Sequence, residues 1–172
     1  FDSQTAELVK TIKVPGGGGN FTCLKDGSKC YVGLRKANAV GVIDMAKLEL
    51  MKTIETGPDA NRLYLNPGNS RYGLFANEAG KSDIVSIIDT QLDVKVKDIW
   101  TGLGPHNVAF DPDGKFAVIS TKKENVATLV DTGSADPNDW DVITTDLDSG
   151  IQNNGVRWVP SPAALKKALA QN

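Results

Sequence analysis

Residues 104–118 read Gly104-Pro105-His106-Asn107-Val108-Ala109-Phe110-Asp111-Pro112-Asp113-Gly114-Lys115-Phe116-Ala117-Val118. The stretch predicts a short strand, a tight turn and a returning strand. Val108 and Phe110 alternate with Asn107, Ala109 and Asp111, the period of two that one half-buried strand requires. In Pro112-Asp113-Gly114, proline presets φ at the first corner. Glycine takes the left-handed position from which the chain can return.

The same unit recurs. Leu24-Lys25-Asp26-Gly27-Ser28-Lys29-Cys30-Tyr31-Val32 aligns with Asn66-Pro67-Gly68-Asn69-Ser70-Arg71-Tyr72-Gly73-Leu74 and with Asp111–Ala117, placing Gly27, Asn69 and Gly114 together at offsets of 42 and 45. Downstream, Val42-Ile43-Asp44, Ile87-Ile88-Asp89 and Leu129-Val130-Asp131 lie 45 and 42 apart. Met51–Gly57 and Val96–Gly102 follow at a spacing of 45. Each period holds four strand-like runs, which in the middle repeat fall at about 62–66, 71–76, 83–89 and 94–100. Glycine, proline, asparagine and aspartate separate them, and each run is too short for a helix. Four short antiparallel strands in a repeat of this length describe one blade of a β-propeller. The sequence therefore predicts an all-β fold of about three complete blades plus partial ones, with repeats at about 15–57, 58–102 and 103–146.

The ends depart from the repeat. Residues 6–14 match the fourth strand of a blade, and residues 155–161 match the first strand of a further one within a partial repeat at 147–160. Residues 161–172 predict a short helical tail, with Ser161 as N-cap and Pro162 at the first helical position. A propeller closes with about four to eight blades, and three would leave open sheet edges. The expectation is a portion of a larger propeller, completed by other blades or protein subunits.

Composition narrows the function classes. The chain has 172 residues, 40% hydrophobic and 23% charged, with 19 basic and 21 acidic side chains. This is neither a disordered composition nor a nucleic-acid footprint. No apolar run reaches the roughly 20 residues of a membrane-spanning helix. The sequence opens on Phe1 rather than methionine, which is compatible with a removed export signal. One histidine and two cysteines are too few for a Cys/His zinc cage or a multi-histidine copper centre within this chain.

The segments GLGPHNVAFDPDGKFAV (102–118), CYVGL (30–34) and SIIDTQLDVKVKDI (86–99) together resemble the YVTN-type β-propeller repeat family. The resemblance covers roughly residues 6–160. It implies a secreted, periplasmic or cell-surface protein. It also implies kinship with the propellers of nitrous oxide reductase, haem d1 domains, lactonases and surface-layer proteins. Fold alone does not choose among these functions.

In propellers of this kind the first strand of each blade lines a central channel. The residues at its start are Asn20, Asn61, Arg62, His106, Asn107 and Asn154. Together they offer amide donors, one cation and one imidazole, a set suited to a polar or anionic ligand or to a partner segment. The structural alternative for His106 is that Pro-His belongs to the repeat and holds the turn. Gly16–Gly19 lacks the Lys-Ser/Thr and the following helix of a phosphate loop, and reads as a connecting loop. Cys23 and Cys30 flank the Asp26-Gly27 turn. A two-residue hairpin loop would set them face to face for a disulfide, whereas a bulged turn would point them apart. Asp131, Asp136, Asp139 and Asp141 do not match the EF-hand spacing and read as a solvated acidic loop, with a calcium site as the alternative. Trp100, Trp140 and Trp158 lie in strand patterns and are expected between blades.

No complete catalytic constellation is present, and no cofactor is specified. The leading expectation is an exported propeller scaffold that binds a ligand or protein partner within a larger assembly. The alternative is a portion of a periplasmic redox propeller sharing a haem d1, quinone or copper cofactor with other sequence. A lactonase-type hydrolase is the weaker third reading, since no convergent carboxylate set falls at the channel mouth.

Overall fold

The computed structural model describes residues 1–78, 80, 82–148 and 156. Among these residues, twelve strands form three four-stranded antiparallel sheets, each a simple meander in chain order. Blade 1 holds β1 (Phe21–Cys23), β2 (Lys29–Leu34), β3 (Ala39–Asp44) and β4 (Glu49–Glu55). Blade 2 holds β5 (Ala60–Leu65), β6 (Tyr72–Asn77), β7 (Ile84–Asp89) and β8 (Val94–Trp100). Blade 3 holds β9 (Pro105–Phe110), β10 (Phe116–Thr121), β11 (Val126–Asp131) and β12 (Asp141–Asp148). This is the β-propeller architecture, with β1, β5 and β9 as the innermost strands.

The repeat markers have separate physical jobs. The aspartate ending each third strand organises the turn to the fourth. The Asp44 carboxylate accepts from the Ala46 and Lys47 amides, both at 2.9 Å. Asp89 accepts from Gln91 and Leu92 at 2.9 and 3.0 Å, and Asp131 from Gly133 at 2.9 Å. Such Asx contacts satisfy amides that the ladder has just released.

The glycine marker belongs to the turn between the first two strands. Gly27 and Gly114 adopt φ of 71° and 70°, which glycine alone adopts without a Cβ penalty. Asn69, aligned with them in the sequence, is not among the left-handed residues. The reason is length. The ladder closes from Lys29 O to Leu24 N and from Phe116 O to Asp111 N, but from Tyr72 O to Asn66 N. The middle turn thus holds one more residue, and the Asn66 side chain braces it by accepting from the Gly68 and Asn69 amides.

Neighbouring blades bury each other's faces. Tyr31, Val40, Val42 and Ile54 of blade 1 pack with Ala60, Leu63, Phe75 and Ile88 of blade 2. On the opposite face of blade 2, Leu74, Val85, Ile87 and Ile99 pack with Val108, Ala117, Ile119 and Val130 of blade 3. Trp140 meets Tyr72 edge-on in this second core, centroids 5.9 Å apart. Trp100 does not fill such a gap. It is 55% exposed and its indole donates to Asp83, because the fourth strand is the outermost of its sheet. Trp158 lies outside the described residues.

Polar clasps join the blade rims. The Tyr31 hydroxyl donates to Asp93 and to the Thr90 carbonyl at 2.5 and 2.9 Å, and Lys29 reaches the same pair at 2.7 and 3.0 Å. Burial first, and then the hydrogen bond to Asp93, push the Tyr31 phenol well above its ordinary range, so it stays a donor. Between blades 2 and 3, the Asn66 amide donates to the Gly114 carbonyl at 2.7 Å, and a Cβ on Gly114 would run into the Asn66 side chain.

The ends differ from expectation. Residues 6–14 form no strand. A fourth strand exists only by pairing with a third, and residues 2–6 fold back on the Asp2 carboxylate and carbonyl instead. Ile12 and Val14 lie against the outer face of blade 1. The expected strand at 155–161, apart from Val156, and the expected helix at 161–172 lie outside the described residues.

Gly33 in β2 sits against the Ala60 and Asn61 carbonyl oxygens, so that an added Cβ would collide with blade 2 backbone. Gly33→Ala is expected to destabilise the blade 1–blade 2 contact by about 1–3 kcal/mol, the usual cost of overpacking. A lowered denaturation midpoint with an unchanged slope would report it.

Candidate functional site at the channel

β1, β5 and β9 are the edge strands of their sheets, and their free edges run along the channel. The start of each lies beside the exit of its own second strand. Those exits carry Arg35, Glu78 and Lys122, which immediately follow Leu34, Asn77 and Thr121. The three blades thus present a cation, an anion and a cation at equivalent places.

Glu78 is the hub. Its Oε1 takes the Lys122 ammonium and lies 3.3 Å from His106 Nε2. Its Oε2 accepts from Arg35 Nη1 at 3.2 Å. Arg35 in turn holds Asp59 through two bonds of 2.6 and 2.8 Å, the strong fork-to-fork geometry. Burial alone would raise the Glu78 pKa. The Lys122 hydrogen bond and the charges of His106, Lys122 and Arg35 outweigh it and hold the carboxylate below its ordinary range.

The expected mouth residues divide into three groups. Asn20 donates to the Asn61 side-chain oxygen at 2.7 Å, and Asn61 is 2% exposed. His106 and Asn107 form a second group. The Asn107 amide lies 2.9 Å from His106 Nδ1, and its oxygen accepts from the Tyr64 hydroxyl at 2.5 Å. Both ring nitrogens of His106 therefore have protein partners. Arg62 stands apart from both. It lies on the channel wall, its guanidinium 5.3 Å from the Tyr64 ring centroid and its Nε 3.4 Å from the Thr22 hydroxyl. Asn154 lies outside the described residues.

Arg35, Asp59, Tyr64, Glu78 and Lys122 are absent from the expected set. Arg35, Glu78 and Lys122 sit where a second strand leaves the sheet, Asp59 where one blade hands over to the next, and Tyr64 within β5, whereas the expected set is confined to the start of each first strand. The signal was present: charged residues at 35, 78 and 122 repeat at 43 and 44 residues.

Below the mouth, a groove of about 320 Å³ runs along the inner strands, lined by Thr22, Arg62, Tyr64, Leu65, Val108 and Phe110 among others. Elsewhere, Cys23 and Cys30 are register partners in β1 and β2 and their sulfurs are bonded. The aspartates near residue 135 serve local turns: Asp136 caps a short 3₁₀ turn, Asp139 accepts from Ser134, and Asp141 accepts from the Val142 amide. Among the described residues, no three His, Cys, Asp or Glu side chains converge as metal ligands.

No family model matches the chain. No curated protein matches it either. Solved structures do. The chain is similar to a hydrazine synthase from Kuenenia stuttgartiensis at 24% identity and a TM-score of 0.61, covering 71% of this chain and 34% of that one. It is similar to a Bacteroides fragilis protein described as a 6-phosphogluconolactonase at 21% identity and a TM-score of 0.64, over 79% and 41% of the two chains. It is also similar to dihydro-haem d1 dehydrogenase NirN at 22% identity and a TM-score of 0.64, over 74% and 29%. At these identities the likeness shows the fold alone, and the chain spans well under half of each neighbour.

Replacing Glu78 by Gln leaves the Lys122 and Arg35 cations, with the His106 ring beside them, without their shared carboxylate. The expected loss lies above the ~1 kcal/mol of an exposed pair and approaches the ~3 kcal/mol of breaking a buried one. Because the folded pKa is depressed, the Glu78 contribution is complete above the ordinary glutamate range and is lost as pH falls through the folded value. Denaturation midpoints against pH are expected to separate wild type from Glu78→Gln at neutrality and to converge in acid.

Proposed function

We propose that this chain is a portion of a YVTN-like β-propeller in an exported protein, a rigid scaffold that binds a ligand or protein partner within a larger assembly. Other blades or subunits complete the ring. The outer face of blade 1 carries the reading. An apolar groove of about 370 Å³ lies there between Ile12 and Val14 on one side and Phe21, Val32 and Ile43 on the other. Phe21 is 66% exposed. The corresponding faces between blades 1, 2 and 3 are buried cores, so the natural occupant of this face is another four-stranded sheet.

One feature supports export: Cys23–Cys30 is a disulfide, a bond that persists mainly in oxidising compartments. The redox alternative fits less well. A haem or copper centre using His106 would have to displace Glu78 or Asn107 from its ring. The described residues supply no converging ligand set, so no step is assigned to such a group.

Introducing a charge by Phe21→Lys is expected to abolish self-association, or association with the completing blades, while leaving the far-ultraviolet dichroism unchanged. Sedimentation over a range of concentrations reads the effect. A wild-type chain that stays monomeric at every concentration and ignores added flanking blades would overturn the assembly reading. For the disulfide, the intact protein is expected to take up no iodoacetamide until reduced. Cys30→Ser is expected to lose about 2–3 kcal/mol, the chain-entropy value for so short a loop.

A further inference from the structure

The basic side chains near the mouth are not equivalent. Arg35 is forked onto Asp59, while Lys122 and His106 are held by Glu78. Arg62 has no carboxylate within ion-pair distance among the described residues. Its side-chain contacts are the long bond to Thr22 and the face of Tyr64. Stacking on an aromatic ring occupies the flat side of a guanidinium and leaves its edge, with the two terminal nitrogens, free to donate in parallel. Tyr64 is itself fixed by its hydroxyl bonds to Asn107 and to the His106 carbonyl. The cation is therefore held in place with its donors unspent.

The surroundings describe what those donors would meet. Arg62 opens into the groove of about 320 Å³, whose other walls include Leu65, Pro67, Val108 and Phe110. This volume falls at the small end of ligand sites, which pair apolar walls with a few placed polar groups. One cation balances one negative charge, and a guanidinium edge matches a carboxylate bidentately. Beside the polar Thr22, Arg62 and Tyr64 side chains, Leu65, Pro67 and Phe110 offer an apolar patch to a hydrocarbon body.

Resting on the reading of the channel side as a binding surface, we infer that the groove along β5 and β9 binds small amphipathic monocarboxylates. Arg62 takes the carboxylate, and Leu65, Pro67 and Phe110 take the apolar body. The ion-pair cluster around Glu78 is the frame of this site rather than its ligand contact.

Titration of the intact chain with benzoate, followed by amide chemical shifts, tests the assignment against benzamide and inorganic phosphate. Benzoate is expected to shift the amides of Leu65, Val108 and Phe110, with benzamide and phosphate binding at least about tenfold more weakly, the factor carried by one charged hydrogen-bonded contact. Arg62→Gln is expected to lower benzoate affinity about tenfold and Arg62→Lys to retain part of it. Arg62 is exposed, so neither change threatens the core. Phe110→Ala is expected to weaken benzoate without affecting acetate. Equal benzoate binding by wild type and Arg62→Gln overturns the proposal. Phosphate binding as tightly as benzoate reduces the site to a simple anion site and overturns the ligand class. Shifts confined to Glu78 and Lys122 overturn the location. Each of these outcomes leaves the assembly reading intact, because that reading is judged by the sedimentation of Phe21→Lys.

Discussion

A four-stranded sheet cannot bury its own faces, and everything else in this chain follows from that constraint. The middle blade shows it directly. All six residues of β6 are buried, and so are five of the six in β7. Tyr72, Leu74, Val85 and Ile87 serve one neighbour, while Phe75 and Ile88 serve the other. A sheet covered on both sides reads as a continuous apolar run, not as an alternation. The blades are therefore not small domains strung together. Each is completed by the next, and stability is shared across the interfaces as in other repeat architectures.

Close approach of sheets sets the second layer of requirements. Where blade 1 meets blade 2, Gly33 leaves room for the Ala60 and Asn61 carbonyls. Where the turns of blades 2 and 3 meet, Gly114 leaves room for Asn66, which donates to its carbonyl. The polar clasps then satisfy groups that the approach would strand. Thr22 donates to the Leu63 carbonyl across blades at 2.7 Å, as Asn66 does to the Gly114 carbonyl at 2.7 Å. An unmet buried carbonyl costs more than a made hydrogen bond contributes, so these side chains are part of the fold.

The sequence made the blade legible because each marker reports a local requirement. Glycine at 27 and 114 reports a left-handed turn, and aspartate at 44, 89 and 131 reports an Asx-stabilised turn. Both requirements are met within a few residues of the marker. The site was less legible because its contacts join residues far apart in the chain. Glu78 meets Lys122 across 44 positions and Arg35 across 43. Nothing near Glu78 in the sequence announces either partner. The extra residue in the 66–72 turn was hidden for a related reason. An alignment without a gap absorbs one residue of length silently, and only the ladder register exposes it. Residues 6–14 carry strand-like alternation, but alternation states only that a segment could pair. It does not supply the partner.

Placement of charge separates framework from recognition at the channel. A carboxylate held by a lysine, an arginine and an imidazole is satisfied within the protein, and drawing a ligand onto any member would first require breaking bonds already made. The cluster also costs desolvation, which its mutual attraction must offset, so its contribution is mainly to fix how blades 1, 2 and 3 meet. Arg62 differs in every one of these respects. It is two residues deeper along β5, supported by an aromatic ring that lends position without neutralising charge, and open to solvent. Binding energy at such a cation is not consumed in displacing an internal partner. Of the two arginines brought to the inner strands, the one in the ion-pair network holds the blades, and the one outside it is the one we propose reads what enters.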